Sequence, residues 1–221
     1  MSLPRVPKAV IFDMDGLLVD TEAVYREAMT ATAIADGLDF PNELFLSLIG
    51  LSWPANAQIL QTHYGEGFDP EAFKDASITR FRELVAAEVA LKAGVREILD
   101  LLDVLSLPRA IATSSGHESV KHHIGGHGLL DRFHAILAAG DYANAKPAPD
   151  PYLRAAEALG VHPADCLALE DSHNGVRAAA SAGMMTIMIP DLLDPTDEMH
   201  DLCIRIARDL HEVEALIRAA A

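Results

Sequence analysis

The chain has 221 residues, of which 33 are acidic and 17 are basic, so its formal net charge is −16. This acidity argues against nucleic acid and anionic membrane surfaces as partners, because binding to either requires clusters of lysine and arginine. Hydrophobic residues make up 50% of the chain, which is enough for a sizeable core and unlike a disordered protein. The length predicts one large domain, or one domain that carries an insertion.

The two cysteines and the N-terminus bear on the cellular compartment. Cys166 and Cys203 lack the spacing of a zinc site or a disulfide framework, so we expect two reduced thiols in the core. The first residues do not form a signal peptide pattern, and no window has the roughly 18 apolar residues of a membrane span. We therefore expect a cytoplasmic protein that does not associate with membranes.

The pattern of short apolar runs and helical periodicities predicts an α/β fold. Six runs are predicted as strands: Lys8–Asp13, Pro108–Thr113, Phe133–Leu137, Cys166–Glu170, Met184–Ile189 and the short run Cys203–Ala207. Helices are predicted at Val95–Leu105, Glu118–Ile124, Pro151–Leu159, Asn174–Ala182 and Leu210–Ala220. Alternation of this kind, with strands that are apolar throughout, is typical of a doubly wound parallel sheet covered by helices.

The segment between the first two strands interrupts this alternation. It has helical patterns at Glu22–Ala35, Asn42–Ile49, Ala55–His63 and Glu71–Ala87, and no convincing strand. We interpret residues 21–90 as an inserted α-helical cap domain over the carboxyl edge of the sheet. Residues 1–20 and 91–221 then form the catalytic α/β core.

Polar side chains follow four of the predicted strands. They are Asp13 and Asp15, Thr113 and Ser114, Lys146, and Glu170 and Asp171. Because ligands of open α/β sheets bind beyond the carboxyl ends of the strands, we expect these side chains to line one crevice.

Carboxylates this close to one another need a cation. Two of them about 4 Å apart repel by roughly 4 kcal/mol at an effective dielectric constant near 20. Oxygen ligands with open positions suit Mg²⁺, which keeps several waters and accepts phosphate oxygens. Hydroxyls, backbone N–H groups at a helix start and a lysine suit a phosphoryl group. The crevice therefore predicts magnesium-dependent phosphoryl transfer.

Four segments in chain order resemble the motifs of the haloacid dehalogenase-like superfamily. They are Phe12–Glu22 (FDMDGLLVDTE), Thr113-Ser114, Lys146–Asp150 (KPAPD), and Leu169–Ser172 (LEDS) followed by Gly175. Each motif alone is weakly specific, but the four in order across residues 8–189, with a helical insertion after the first, are strongly specific. The similarity is closest to the branch that contains β-phosphoglucomutase, phosphoglycolate phosphatase and sugar-phosphate phosphatases, and it implies a Rossmann-like core with a small helical cap.

The resemblance implies complementary roles for the first two acids. Asp13 would be the nucleophile that attacks phosphorus and forms an aspartyl-phosphate intermediate. Asp15 would be the general acid for the leaving oxygen and then the base that activates water, with its backbone carbonyl on Mg²⁺. One carboxylate must be ionised and the other protonated, so their environments have to separate their pKa values.

The resemblance also assigns the metal and the phosphoryl group. Asp13 and Asp171 would supply side-chain oxygens to Mg²⁺, and Glu170 would bind it directly or through water. Thr113 and the Ser114 amide would hold phosphoryl oxygens. Lys146 would neutralise the nucleophile and the transferring group.

The chain departs from the mutases of this branch in the cap. β-Phosphoglucomutases carry a basic pair in the loop that corresponds to residues 48–53, and here Ile49 and Trp53 stand at those positions. Hydrolysis is therefore favoured over a mutase reaction, and Gly50 and Trp53 are predicted to contact the substrate. An acid at position 15 also disfavours halide displacement.

A group of histidines, His117, His122, His123 and His127, looks like a metal site. Because Gly125 and Gly126 are expected to break the helix, we expect a solvated helix end instead. Contact between His117 and the substrate remains an alternative.

The sequence thus predicts a magnesium-dependent phosphatase for a small phosphorylated metabolite, either a sugar phosphate or a phospho-acid. A phosphosugar mutase is the alternative enzyme, and a phosphometabolite-binding module without turnover is the alternative of another class. A monomer is expected, with a dimer left open.

Overall fold

The computed structural model describes residues 3–49, 53–85 and 89–221. It contains a six-stranded sheet in which every neighbouring pair is parallel. The strands are β1 (Ala9–Phe12), β2 (Arg109–Ala112), β3 (Ala135–Leu137), β4 (Cys166–Glu170), β5 (Met185–Met188) and β6 (Arg205–Ile206). All six predicted strands are present, and the α/β fold is confirmed.

The strand order is β3-β2-β1-β4-β5-β6. Because β1 lies between β2 and β4, the chain moves outward in one direction from β1 to β3 and in the other direction from β4 to β6. A crevice opens at such a reversal, at the carboxyl ends of the two central strands. Residues 9–12 and 166–170 are fully buried, as expected for central parallel strands.

Four helices follow β1 before the chain returns to the sheet. They are α1 (Thr21–Ala35), α2 (Asn42–Leu48), α3 (Trp53–Tyr64) and α4 (Pro70–Val85). Helices α1 and α4 pack against each other, and a cluster of phenylalanines, Phe40, Phe45, Phe68 and Phe73, forms ring contacts beside them. The predicted continuation to Ala87 lies outside the described residues.

Six more helices belong to the sheet. They are α5 (Val95–Val104), α6 (His117–Gly126), α7 (Asp150–Leu159), α8 (His173–Ser181), α9 (Asp197–Leu202) and α10 (Leu210–Ala220). Alanines of α7 and α8 belong to one buried cluster with Ala9 and Ile11 of β1, so the small residues of these helices allow close approach to the sheet. Helix α9 was not predicted. Thr196 caps it by accepting from the Met199 amide.

Helix α6 includes Gly125 and ends at Gly126, so the helix does stop before His127 as expected, but it extends two residues beyond the predicted end at Ile124. A Cβ atom on Gly125 would lie 3.0 Å from Leu130 Cδ1, so Gly125 provides room for this leucine. His123, expected at a solvated helix end, is buried. Tertiary packing has outweighed the low helix propensity of glycine.

The chain divides into two compact units. One consists of Met1–Asp20 and Ala90–Ala221, and the other is Thr21–Val89. No helix among the described residues is long and apolar enough to cross a membrane. Both cysteines are free thiols. Cys166 is buried, as expected, whereas Cys203 is only partly buried and packs against the edge of a core cluster.

Candidate active site

The carboxyl ends of β1 and β4 bring three acids together. The Asp13 amide donates to the Leu169 carbonyl at 3.0 Å, which extends the pairing of these strands to the first acid. Glu170 and Asp171 stand at the end of the neighbouring strand β4. One oxygen from each of Asp13, Glu170 and Asp171 lies within 4.8 Å of the other two. The crevice predicted from the strand order therefore holds a buried carboxylate cluster.

Lys146 joins two of these acids. It lies in the loop between β3 and α7, and its side chain is only 7% exposed. Its Nζ is 2.6 Å from Asp13 Oδ1 and 2.6 Å from Glu170 Oε1. The ammonium group thus fixes the orientation of both carboxylates and offsets part of their charge.

Burial, Glu170 and Asp15 disfavour the ionised form of Asp13. Together they raise its pKa to about 8, although Lys146 lowers it. A bound cation would favour the ionised form that a nucleophile requires. Burial lowers the pKa of Lys146, but Asp13 and Glu170 outweigh it and raise this pKa above its ordinary value. The lysine is therefore charged, and the carboxylates can still accept a further cation.

Asp15 stands in a different environment. Ser115 Oγ donates to Asp15 Oδ2 at 2.7 Å, and Thr113 Oγ1 donates to the same oxygen at 3.3 Å. The Thr113 hydroxyl also accepts from the Ser115 amide at 3.0 Å. Asp13 is paired with an ammonium group and Asp15 with hydroxyls, so the two acids differ in their surroundings as separate roles require.

Two further residues hold Glu170 in place. Tyr152, fully buried on α7, donates its hydroxyl to Glu170 Oε1 at 2.5 Å. The Ser172 amide and hydroxyl donate to Glu170 Oε2 at 3.3 and 3.1 Å. We did not predict Tyr152 or the contact of Ser115 with Asp15 from the sequence, because nothing in a helical pattern or a serine pair shows which acid it will contact.

Two glycines make room for the acids. Gly16 has a φ of +80°, and a Cβ atom there would lie 2.3 Å from Asp171 Oδ2. A Cβ atom on Gly175 would lie 1.9 Å from Glu170 Cδ. Both contacts are far too short for a real side chain. The backbone at Gly16 therefore packs directly against Asp171, and the backbone at Gly175 packs directly against Glu170.

The donor set fits Mg²⁺. It consists of carboxylate oxygens that lie close to one another, and this hard cation prefers such ligands. One lysine cannot neutralise three buried acids, so a divalent cation would remove a large electrostatic cost. The side chains that would hold it are Asp13, Glu170 and Asp171.

The remaining predicted site residues are Thr113 and Ser114 after β2, and Gly50 and Trp53 in the segment between β1 and β2. Thr113 is buried at the end of β2, whereas Ser114 next to it is exposed. Trp53 begins α3 in the helical unit. Gly50, predicted to contact the substrate, lies outside the described residues.

The helical unit contains a cavity of about 320 Å³. Its apolar wall includes Trp53, Tyr25 and Phe45, and its polar groups include Asn56 and Lys74. Asn56 Oδ1 is buried without a hydrogen-bond partner among the described residues. The cavity can thus offer an amide oxygen and aromatic surface to a small molecule.

Lys74 in this cavity is already engaged. Its Nζ is 3.1 Å from Glu71 Oε2 and 5.0 Å from the centre of the Trp53 ring. Trp53 Nε1 donates to Glu71 Oε1 at 2.5 Å. Glu71 therefore fixes the indole ring and neutralises the lysine.

Three comparisons relate the chain to known proteins. The haloacid dehalogenase-like hydrolase family matches residues 7–183. A protein named probable pseudouridine-5'-phosphatase from Drosophila melanogaster is 36% identical over 187 residues, which cover 82% of this chain and 80% of that protein. Hexitol phosphatase B from Escherichia coli is 34% identical over 193 residues, which cover 86% of each chain. A hydrolase structure from Deinococcus radiodurans with bound phosphate and sodium has a TM-score of 0.84 and 26% identity, covering 97% of this chain and 96% of the other.

Proposed function

This chain belongs to the haloacid dehalogenase-like hydrolase family, and on that premise we propose that it is a Mg²⁺-dependent phosphatase acting on a phosphomonoester of a small metabolite. The observation that carries the proposal is the contact of Lys146 with Asp13 beside Glu170 and Asp171. This arrangement supplies a nucleophile, a cation-binding cluster and a group that neutralises phosphoryl charge. The relatives whose names specify phosphatases support the same reaction.

In the first half of the reaction, an Asp13 carboxylate oxygen attacks phosphorus and the bond to the leaving oxygen breaks. Asp15 donates its proton to that oxygen, so an alcohol leaves and an aspartyl-phosphate remains. The Ser115 hydroxyl holds Asp15 through Oδ2 while Asp15 acts on the substrate. A bound Mg²⁺ supplies charge stabilisation for the phosphoryl oxygens.

In the second half, Asp15 removes a proton from water, which attacks phosphorus and restores the Asp13 carboxylate. Lys146 stays beside Asp13 and offsets the charge that accumulates on the phosphoryl group. The Ser114 amide binds one phosphoryl oxygen, and the Thr113 hydroxyl binds another by turning its proton from Asp15 Oδ2 toward the substrate. Because Asp15 ends each cycle protonated, the enzyme is ready for the next substrate.

For the alcohol part of the substrate we propose a neutral hydroxylated group, such as a sugar, a sugar alcohol or a nucleoside. The cavity of the helical unit combines Asn56 Oδ1 with an aromatic wall, which suits hydroxyl donors on an apolar ring. Among the described residues that line the cavity, the one lysine, Lys74, is paired with Glu71, which disfavours a second phosphate or a carboxylate there. Pseudouridine and hexitols, named for two relatives, are molecules of this kind.

The activity is tested by the release of inorganic phosphate. We expect turnover of p-nitrophenyl phosphate and of a panel of sugar, sugar-alcohol and nucleoside phosphates, with Mg²⁺ required. Asp13→Asn removes the nucleophile and abolishes turnover. Metal-independent turnover, or full activity of Asp13→Asn, would contradict the proposal. Phosphoenzyme formed in one burst without further turnover would favour the binding module.

The mutase alternative makes a different product. A mutase given a hexose 1-phosphate and a catalytic amount of a bisphosphate yields the 6-phosphate isomer, whereas a phosphatase yields the free hexose. Separating the two products by chromatography decides between them. We expect free sugar, because Ile49 and Trp53 occupy the positions of the mutase's basic pair.

The cavity is tested by fluorescence, because Trp53 is the single tryptophan of the chain. Titration with dephosphorylated product, for example a hexitol or pseudouridine, is expected to change Trp53 emission in the wild type. Asn56→Leu removes the amide oxygen and should abolish the change. An equal response in Asn56→Leu would show that the alcohol binds elsewhere.

A further inference from the structure

The loop after β5 carries an aspartate that the reaction scheme does not use. Asp191 Oδ1 accepts from Lys92 Nζ at 2.6 Å, and the Asp191 side chain is 12% exposed. Its other oxygen, Oδ2, is buried and accepts no hydrogen bond from the part of the chain that the structure describes. A carboxylate oxygen in this situation is costly unless something binds it.

The direction of this free oxygen is informative. A Cβ atom on Gly16 would lie 3.4 Å from Asp191 Oδ2 and 2.3 Å from Asp171 Oδ2. Both carboxylates therefore face the same small space beside the Gly16 backbone. Asp171 is a member of the carboxylate cluster that would hold the cation, so Asp191 Oδ2 lies beside that cluster.

Lys92 fixes this carboxylate to a rigid part of the core. The Lys92 amide donates to the Leu18 carbonyl at 3.0 Å, and the Asp20 amide donates to the Ala90 carbonyl at 2.9 Å. Lys92 Nζ also lies 3.5 Å from Asp20 Oδ1. The two chain segments that border the helical unit are thus paired, and Lys92 connects them to Asp191.

We propose that Asp191 is a positioning residue for the divalent cation, whose Oδ2 accepts a hydrogen bond from a water molecule in the hydration shell of that cation. The inference rests on the proposed function, since it assumes that Asp13, Glu170 and Asp171 hold Mg²⁺. Mg²⁺ keeps several waters when bound to proteins. Carboxylates that accept from such waters or orient the direct ligands change metal affinity by about 10- to 100-fold. Lys92 on Oδ1 keeps Oδ2 turned toward that water.

The test measures metal binding without substrate. Mn²⁺ is titrated into the full-length protein, free Mn²⁺ is followed by its EPR signal, and Mg²⁺ affinity is obtained by competition. Asp191→Asn keeps the shape of the side chain but removes its charge, and we expect about tenfold weaker binding of both ions. Asp194→Asn, an exposed acid three positions further on, is the matched control and should bind as the wild type does.

A second variant separates positioning from a structural ion pair. Lys92→Met breaks the same pair but keeps the Asp191 carboxylate, which stays charged but is less firmly held, so binding should weaken less than in Asp191→Asn. Asp191→Asn with wild-type affinity, or equal weakening in both variants, would overturn the inference while leaving the phosphatase proposal intact. A wild-type protein that binds neither Mn²⁺ nor Mg²⁺ would overturn both. If Asp191→Asn does not fold, a full tenfold weakening in Lys92→Met, which keeps the carboxylate, overturns the inference.

Discussion

Lys146 Nζ lies 2.6 Å from Asp13 Oδ1, although the two residues are 133 positions apart in the chain. The contact exists because β1 and β3 both end at the carboxyl edge of the sheet, where the loop with Lys146 begins. It places a positive charge beside Asp13, the residue that we propose as nucleophile. The reaction should therefore depend on Lys146 more strongly than on any exposed lysine.

We expect Lys146→Met to lower kcat by about 10²- to 10³-fold, the usual cost of losing one preorganised charged donor. It should also lower the unfolding temperature in the presence of EDTA, since Asp13 and Glu170 lose their buried partner. Activity and thermal unfolding are measured with Lys121→Met as control, because Lys121 is exposed on α6. Equal kcat in both variants would contradict the role of Lys146.

The hydroxyl of Ser115 provides a test of Asp15 as general acid. Ser115→Ala removes the donor 2.7 Å from Asp15 Oδ2, and we expect kcat for a sugar phosphate to fall by about tenfold, equivalent to about 1.4 kcal/mol. Hydrolysis of p-nitrophenyl phosphate should fall less, because p-nitrophenolate leaves without full protonation. The two substrates are compared in Ser115→Ala and in Ser119→Ala on α6. Equal losses for both substrates would indicate that Ser115 does not act through Asp15.

Much of this site could be predicted from the sequence, because each acid follows directly after an apolar run. Asp13 and Glu170 are placed by strand periodicity alone, and the parallel sheet then brings their strands together. Tyr152 and Asp191 could not be predicted in this way. Their relevance depends on which atoms meet across the crevice, and hydrophobic periodicity contains no information on such contacts.

The glycines illustrate the same limit. Gly125 looks like a helix breaker in the sequence, but α6 includes it, and Leu130 packs where its side chain would stand. Gly175 belongs to the fourth motif, but the sequence does not show that its missing Cβ atom makes room for Glu170. In both cases the neighbour is only five positions away in the chain, and helix propensity does not describe which side chain packs against the glycine.

A pair of glycine substitutions tests this difference. Gly175→Ala places a Cβ atom 1.9 Å from Glu170 Cδ, so we expect a loss of about 1 to 3 kcal/mol in unfolding free energy and a loss of activity. Gly126→Ala, at a helical position with no atom within 4 Å of the added Cβ, should be neutral or stabilise by up to about 1 kcal/mol. Urea unfolding and phosphate release are measured for both. A neutral Gly175→Ala would mean that Glu170 can move aside, and that the Gly175 backbone does not hold it in place.

Glu212 on α10 gives a prediction for acid stability. Its Oε1 accepts from Arg205 Nε at 3.1 Å and its Oε2 from the Arg208 amide at 3.2 Å, which ties α10 to the edge strand β6. Hydrogen bonds from Arg205 and Arg208 lower the pKa of Glu212 to about 2, from an ordinary value of 4.5. A lowered pKa means that the ionised form stabilises the fold. This contribution is complete above pH 4.5 and is lost as the pH falls toward 2.

Glu212→Gln should therefore lower the unfolding temperature by about 2 to 4 °C at pH 7, and the difference from the wild type should shrink steadily below pH 4.5, the ordinary pKa of this group. Comparing differences removes the titration of the other carboxylates, which both proteins share. Glu214→Gln is the matched control, because Glu214 pairs with the exposed Arg218 on the same helix and such surface pairs contribute little. Only a contribution from the charge of Glu212 disappears when its carboxylate is protonated. A difference in unfolding temperature that stays constant between pH 7 and pH 3 would therefore show that Glu212 stabilises α10 by packing or by neutral hydrogen bonds.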